Sequence, residues 1–100
     1  MLAPVQVHTL AYPVAAGLWQ VTREGVLCRF PRGSARVQAP AAFLRLTQKL
    51  CDGKTPWKAV SAKLARRWEP QDVEICLSEL VRTGVLVEAG MQLAAQARLG

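Results

Sequence analysis

The sequence predicts an α+β fold in which a three-stranded antiparallel meander precedes three helices and a last short strand. Residues 18–22 and 26–30 are β-prone runs around a turn that contains Gly25, and residues 34–38 indicate a third strand. Farther on, Gly53, Pro70 and Gly84 divide residues 40–83 into three helical segments, before the β-prone run 85–87. This order of elements is that of a winged helix-turn-helix domain.

The two turns of the predicted meander contain glycine. Gly25 ends the turn of residues 23–25 and is placed for the left-handed position of a bulged hairpin, and residues 31–33 make the second turn. Side chains alternate between the faces of a strand. The third strand therefore directs Ala35 and Val37 to one face and Arg36 and Gln38 to the other.

Each predicted helix has an apolar stripe at helical spacing. In the first helix, residues 40–53, the stripe is Phe43, Leu46 and Leu50, with Leu44 and Cys51 at its border. The second helix begins at a Thr55 cap, has Pro56 at its first position and extends to residue 68. Its shared face is Trp57, Val60, Leu64 and Trp68. The third helix, residues 70–83, buries Val73, Leu77 and Leu80 and presents Asp72, Ile75, Glu79 and Arg82 on the opposite face.

The chain ends are less regular than its centre. Residues 1–16 are predicted to be an N-terminal arm or edge strand, residues 17–90 the domain, and residues 91–100 an extension or linker. Two alternatives stay open after residue 84. Residues 85–93 form a small hairpin, or residues 91–99 form a short amphipathic helix.

Composition predicts a folded cytoplasmic protein. The chain has 100 residues, of which 51% are hydrophobic, and no apolar run approaches the roughly 20 residues of a membrane span. The first residues lack the basic region of a secretory signal. Cys28, Cys51 and Cys76 are too widely spaced for a disulfide framework or a metal-binding pair, so we interpret them as small buried thiols. No cofactor is expected.

Charge is unevenly distributed along the chain. Residues 23–67 contain eleven Lys or Arg and two acids, whereas residues 69–88 contain five acids and one Arg. A winged helix that binds DNA reads bases with its third helix, and here that helix is acidic, which opposes binding to phosphates. The basic residues of the preceding helix are either a solvated face or phosphate contacts. DNA binding is therefore the alternative and not the main hypothesis.

Catalytic patterns are not evident. The single histidine, His8, is far in sequence from every cysteine, and no phosphate-binding glycine motif is present. We therefore expect no intrinsic enzymatic activity.

The pattern resembles the PqqD-like family, also called RiPP precursor peptide recognition elements. The resemblance rests on the turn Leu50-Cys51-Asp52-Gly53, on a helix that begins at Thr55 and ends in Ala65-Arg66-Arg67-Trp68, and on a third helix that closes on Gly84 and three aliphatic residues. It covers roughly residues 18–87, including the preceding meander. The extra residues at both ends fit a domain of a larger enzyme, and residues 17–39 resemble the leading domain of fused azoline-dehydrogenase or cyclodehydratase proteins. A free-standing protein remains the alternative.

The resemblance implies a non-catalytic domain that binds the leader segment of a ribosomally made precursor peptide. In such domains the leader adds a strand to the third strand of the meander, and its side chains enter the cleft beside the third helix. The domain then presents the peptide to a modifying enzyme, such as a radical SAM protein, a cyclodehydratase or a flavin dehydrogenase. The positions implied for this chain are Ala35, Arg36, Val37, Gln38, Asp72, Ile75, Glu79 and Arg82.

Several interpretations of these positions stay open. Ile75 is either a peptide contact on a polar face or a residue half buried against the meander. Arg29, Arg32 and Arg36 either attract an acidic leader or protect a strand edge by charge. For the whole domain, a DNA-binding regulator and a dimerisation or interaction module, with a homodimer possible, remain alternatives to peptide recognition.

Overall fold

The computed structural model describes residues 9–31 and 33–90 of the chain. This part contains five strands and three helices: β1 Pro13–Ala15, β2 Leu18–Val21, β3 Gly25–Phe30, β4 Gly33–Gln38, α1 Ala41–Leu50, α2 Trp57–Leu64, α3 Pro70–Arg82 and β5 Leu86–Glu88. Strands β2, β3 and β4 form an antiparallel sheet in that order. The predicted α+β class, with an antiparallel meander followed by three helices, is confirmed.

The register of the meander separates a buried face from an exposed one. Val26 pairs with Val37 and Cys28 with Ala35, and Val26, Cys28 and Val37 are all buried. Leu27 pairs with Arg36 on the other face. The predicted alternation of β4 is therefore confirmed, with Ala35 and Val37 turned toward the core.

Gly25 is required for a reason other than the one the sequence suggested. It is the first residue of β3, with φ at +157° instead of in the left-handed helical region near +60°. A Cβ atom built on Gly25 would lie 2.1 Å from the Val37 carbonyl oxygen. Close approach of β4 to this position, and not only the turn conformation, excludes a side chain.

The core side of α1 differs from the predicted stripe. Phe43 is buried as expected, but Leu44 and Thr47 are also fully buried, whereas Leu46 and Leu50 are only partly buried. Thr47 is accommodated because its hydroxyl donates to the Phe43 carbonyl at 2.7 Å, within the same helix. The buried face of α1 is thus centred on Phe43, Leu44 and Thr47, and not on the predicted stripe of Phe43, Leu46 and Leu50.

The start of α2 is not capped by Thr55, as the sequence had suggested. Pro56 occupies the N-cap position without a side-chain hydrogen bond. The Trp57 N–H instead donates to the Ala11 carbonyl at 3.0 Å. Asp52 organises the preceding turn, because its Oδ1 accepts the N–H groups of Lys54 and Thr55, each at 2.8 Å. These two hydrogen bonds lower the pKa of the Asp52 carboxyl.

The second helix ends at Leu64, earlier than predicted, and residues 65–68 continue as turns. Trp68 still packs against α1, with its ring edge-to-face with Phe43 at a centroid distance of 5.2 Å. Val60 and Leu64 are fully buried between the helices. The apolar face that the sequence assigned to this helix is therefore retained although its last turns are not helical.

Helix α3 has the predicted limits and core. It begins at Pro70 after Glu69, and Val73, Leu77 and Leu80 are buried. At its end the Gly84 N–H donates to the Val81 carbonyl and the Val85 N–H to the Leu80 carbonyl. With φ at +82° for Gly84, this is a Schellman termination, and it turns the chain directly into β5.

A second, two-stranded sheet joins the two ends of the described chain. Strand β1 pairs antiparallel with β5, with Val14 opposite Val87. On its other side β1 contacts the α1–α2 turn, where the Ala15 N–H donates to the Cys51 carbonyl and the Gly53 N–H to the Pro13 carbonyl. Strand β5 thus pairs with β1. The predicted hairpin over residues 85–93 and the alternative helix over residues 91–99 both extend beyond the described residues, which end at residue 90.

None of the helices in the described ranges has both the length and the apolar character needed to cross a membrane.

Candidate functional site

Strand β4 lies at an open edge of the meander. Within residues 9–31 and 33–90 its strand partner is β3 alone. Its exposed side chains are those of Ser34, Arg36 and Gln38, while Val37, only 4% exposed, is a core residue. The predicted site residues on β4 are therefore of two kinds, and the side chain of Val37 is not available to a ligand.

Antiparallel pairing fixes which backbone groups of β4 point to the open edge. The Thr22 N–H donates to the Gly25 carbonyl at 2.8 Å, so the backbone groups of Gly25 are directed toward β2. The backbone N–H and C=O groups of successive residues in a strand point to alternate sides. The backbone groups of Val26, Cys28 and Phe30 are therefore directed toward β4. Their register partners are Val37, Ala35 and Gly33.

The backbone groups left at the open edge belong to the alternate residues Ser34, Arg36 and Gln38. Each offers one N–H donor and one C=O acceptor. These groups are spaced as an additional strand requires, and no proline interrupts the run from Gly33 to Gln38. The edge can therefore receive an extended peptide through main-chain hydrogen bonds.

An open groove of about 490 Å³ lies where the beginning of β4 approaches the end of α3. Phe30 and Ala35 line it from the meander, and Thr83 and Gly84 line it from the helix terminus. Because the Ala35 side chain is small, it leaves this side of the groove unfilled near the strand. Side chains of a strand added to β4 would have space here on the inward-facing side.

The predicted site residues of α3 lie on its outer surface. None of these four residues is among the described residues that line the groove. Ile75 is 59% exposed, so the alternative in which it is half buried against the meander is wrong. Asp72 and Arg82 are exposed and Glu79 is partly buried. The structure thus brings Ala35 next to the end of α3, but it does not bring β4 against the whole predicted face of that helix.

Glu79 and Arg82 form an ion pair one helical turn apart, in which Arg82 Nε donates to Glu79 Oε2 at 3.0 Å and a second guanidinium N–H donates to Oε1. The hydrogen bonds from Arg82 lower the pKa of the Glu79 carboxyl, and those to Glu79 raise the pKa of Arg82. The pair leaves both groups charged beside the groove. The two side chains therefore hold each other in place, and the charge of each is balanced by the other.

The outer face of the meander carries positive charge. Arg29 and Arg36 are exposed on this face of adjacent strands, in register pairs that are separated by the inward-facing pair of Cys28 and Ala35. Arg32, which the sequence grouped with them, lies outside the described residues. This distribution is compatible both with attraction of an acidic peptide and with protection of the edge by charge.

Five residues that line the groove were not among the predicted site residues, namely Phe30, Gly33, Ser34, Thr83 and Gly84. Phe30 precedes a turn and resembles any core aromatic residue, and Thr83 and Gly84 resemble a helix terminus. Thr83 lies four residues after Glu79, whose carbonyl its hydroxyl contacts at 2.9 Å. Because residues four apart share a side of a helix, this spacing could have indicated that Thr83 belongs to the same side of α3 as the predicted Glu79.

Groups of three or more metal-binding side chains are absent from the described residues. Cys28 and Cys51 are buried free thiols and Cys76 is a partly buried one. The interpretation of the cysteines as small buried thiols fits Cys28 and Cys51 fully and Cys76 in part.

Comparison with known proteins adds no relative, since the chain matches no family model, no curated protein and no solved structure.

Proposed function

We propose that the chain is a winged helix-turn-helix recognition domain that binds the leader segment of a precursor peptide by strand addition to β4. The observation that carries this proposal is the open edge of β4, with the backbone groups of Ser34, Arg36 and Gln38 directed outward beside the groove at the end of α3. In strand addition the main chain supplies affinity and side-chain pockets supply specificity. The site has both parts.

The proposed complex places alternate peptide side chains in different surroundings. Those on the inward side approach Ala35, Thr83 and Gly84, where small or apolar groups fit. Those on the outward side lie beside Arg36. In this proposal the domain is not itself an enzyme. It delivers the remainder of the peptide to a modifying enzyme in the cytoplasm, such as a radical SAM protein, a cyclodehydratase or a flavin dehydrogenase.

DNA binding by α3 is less well supported. Asp72 and Glu74 are exposed on this helix, and the neighbouring Arg82 is already paired with Glu79. A base-reading helix of this charge would lose affinity against phosphates. The exposed basic residues Lys58 and Lys63 of α2 favour contact with a nucleic acid, so duplex DNA serves as the competing ligand in the test.

The proposal is tested by replacing the Arg36 N–H, which points to the open edge. Arg36→Pro removes that donor while leaving the hydrogen bonds to β3 in place, because proline is tolerated at the solvent side of an edge strand. Arg36→Ala removes the charge but keeps the donor. Peptides selected from a random displayed library on the wild-type domain should keep binding to Arg36→Ala and lose at least about tenfold in affinity on Arg36→Pro, the cost of roughly one or two hydrogen bonds.

Amide chemical shifts then locate the ligand. A selected peptide should shift the amides of residues 34–38 and 82–84 in the labelled domain. Peptide-induced shifts at β2 instead would place strand addition at the opposite edge of the meander and contradict the site. Silence from every peptide, together with DNA-induced shifts along residues 54–67, would overturn peptide recognition and favour the DNA-binding regulator.

A further inference from the structure

A second groove, of about 270 Å³, lies between α2 and α3 on a different part of the molecule. It is lined mostly by small and apolar side chains, which include Trp57 and Ala62 from α2, Ala65 directly after α2, and Pro70 and Leu77 from α3. None of these residues belongs to the β4 edge or to the groove at the end of α3. The function proposed above leaves this surface unused.

The two sides of this α2–α3 groove carry opposite charge. Ala62, which lines the groove, lies four residues after Lys58 within α2, so the exposed basic side chain of Lys58 lies on the same side of the helix. On the α3 side the exposed carboxylate of Glu74 lines the groove itself. Ion pairs across the groove are absent from the described residues, where the only salt bridge is that of Glu79 with Arg82.

A surface with one basic and one acidic side is complementary to itself under a particular symmetry. If a two-fold axis runs along the groove, rotation places the α2 side of one copy over the α3 side of the other. If the axis instead runs across the groove, like charges meet. The first arrangement is isologous and closed, as in most soluble homodimers.

We propose that the α2–α3 groove is a homodimer interface, in which Lys58 of each copy faces Glu74 of the other across the apolar lining of the groove. A second copy fits better than a nucleic acid, because the acidic side of the groove repels phosphates. It also fits better than a uniformly acidic protein, since such a protein would meet Glu74 with like charge. The proposal is independent of peptide binding, and it leaves the β4 edges of both copies open.

The decisive test exchanges the charges between copies. Lys58→Glu and Glu74→Lys each create a like-charge contact that occurs twice in the dimer, so each should raise the dimer dissociation constant about tenfold or more. A mixture of the two single variants restores opposite charges at both contacts. It should therefore form a heterodimer with a dissociation constant within about threefold of the wild type, and so should the double variant with itself.

The measurement is sedimentation equilibrium of the full chain, with Lys49→Glu as the matched control. Lys49 is exposed on α1, outside the groove, and its replacement makes the same change in net charge. Trp57 provides a local readout, since its indole N–H resonance should shift with protein concentration in the wild type. The Trp19 indole N–H, which donates to the Ala16 carbonyl at 2.9 Å, should not shift.

Three outcomes would overturn the proposal. The wild type stays monomeric at every accessible concentration, or the single variants associate as well as the wild type, or Lys49→Glu weakens association as much as Lys58→Glu does. Because all the substituted side chains are exposed, failure to fold is not the expected cause of a loss. A dimer that passes the exchange test but binds no peptide would confirm this interface while rejecting the recognition function.

Discussion

At the scale of single residues, exposure separates side chains that the sequence grouped together. Ile75 and Val37 are both apolar residues of the predicted site, yet Ile75 is 59% exposed and Val37 is 4% exposed. Alternation along β4 predicted that Val37 shares a face with Ala35, but it did not show that this face is the buried one, and periodicity alone did not decide how far Ile75 is covered. That depends on which elements pack beside α3, and β4 approaches only its C-terminal end.

The three thiols differ in reactivity because they differ in burial. Burial raises the pKa of Cys28, and burial together with the nearby charge of Asp52 raises that of Cys51 to about 12. The pKa of Cys76 is raised by burial and then by Asp72. We expect a thiol reagent at neutral pH to modify Cys76 first and slowly, and to reach Cys28 and Cys51 only through unfolding.

The raised pKa of Cys51 predicts that the domain loses stability at alkaline pH. A thiol whose folded pKa is raised favours the folded state fully below the ordinary thiol pKa of about 8.5, and this contribution is lost as pH rises toward the folded value. The urea midpoint of the wild type should therefore fall more steeply above about pH 9 than that of Cys51→Ala. Parallel pH profiles for the two proteins would contradict the burial of an un-ionised Cys51.

At the scale of elements, the limits of strands and helices were largely predictable where glycine and proline mark them. The start of α3 at Pro70 and its termination at Gly84 follow from local chemistry. The start of α2 does not, because the acceptor of the Trp57 N–H is the Ala11 carbonyl, far away in sequence. The predicted Thr55 cap was wrong, because the Trp57 N–H at this end of the helix is bonded to the Ala11 carbonyl and not to a side chain.

Two glycines of the meander give a matched test of close strand packing. Gly25 and Gly33 have nearly the same φ, +157° and +158°, so alanine strains the backbone similarly at both. At Gly25 the new Cβ would meet the Val37 carbonyl oxygen at 2.1 Å, whereas nothing lies within 4 Å at Gly33. We expect Gly25→Ala to cost about 1–3 kcal/mol more in unfolding free energy than Gly33→Ala.

Urea denaturation of both variants measures that difference. Equal losses would mean that the conformation of the glycines, and not the approach of β4 to β3, decides the cost. A larger loss for Gly25→Ala would show that β4, the proposed peptide-binding strand, is packed closely against β3 at Val37.

At the scale of the whole molecule, the sequence did not reveal how the ends of the chain are joined. Strand β1 is three residues long and begins with proline, and its partner β5 lies more than seventy residues later. Neither strand has a local signal that identifies the other. The order of the meander and the three helices, which depends on neighbouring residues, was predicted from the sequence, whereas the pairing of β1 with β5 was not.

Strand β1 contacts two parts of the fold that lie far from it in the chain. It pairs with β5, and it exchanges hydrogen bonds with the α1–α2 turn. The Glu88 carboxylate adds a clamp, accepting the N–H groups of Ala11 and Tyr12 at 2.7 and 2.6 Å. If this connection is part of the cooperative core, residues 11–16 should open only when the whole domain unfolds.

Native-state hydrogen exchange distinguishes that expectation from a weakly docked arm. The amides of Ala15, Ala16 and Gly53 donate to the Cys51, Val85 and Pro13 carbonyls, respectively. They should therefore exchange with the same free energy and the same denaturant dependence as core amides of β3 and α1. Glu88→Gln keeps the acceptor oxygen but loses the charge, so it should lower all these free energies together by about 1 kcal/mol or less. Exchange of Ala15 and Ala16 that is fast and independent of denaturant, while β3 stays protected, would show that the segment is an appended arm and that the meander and helices fold without it.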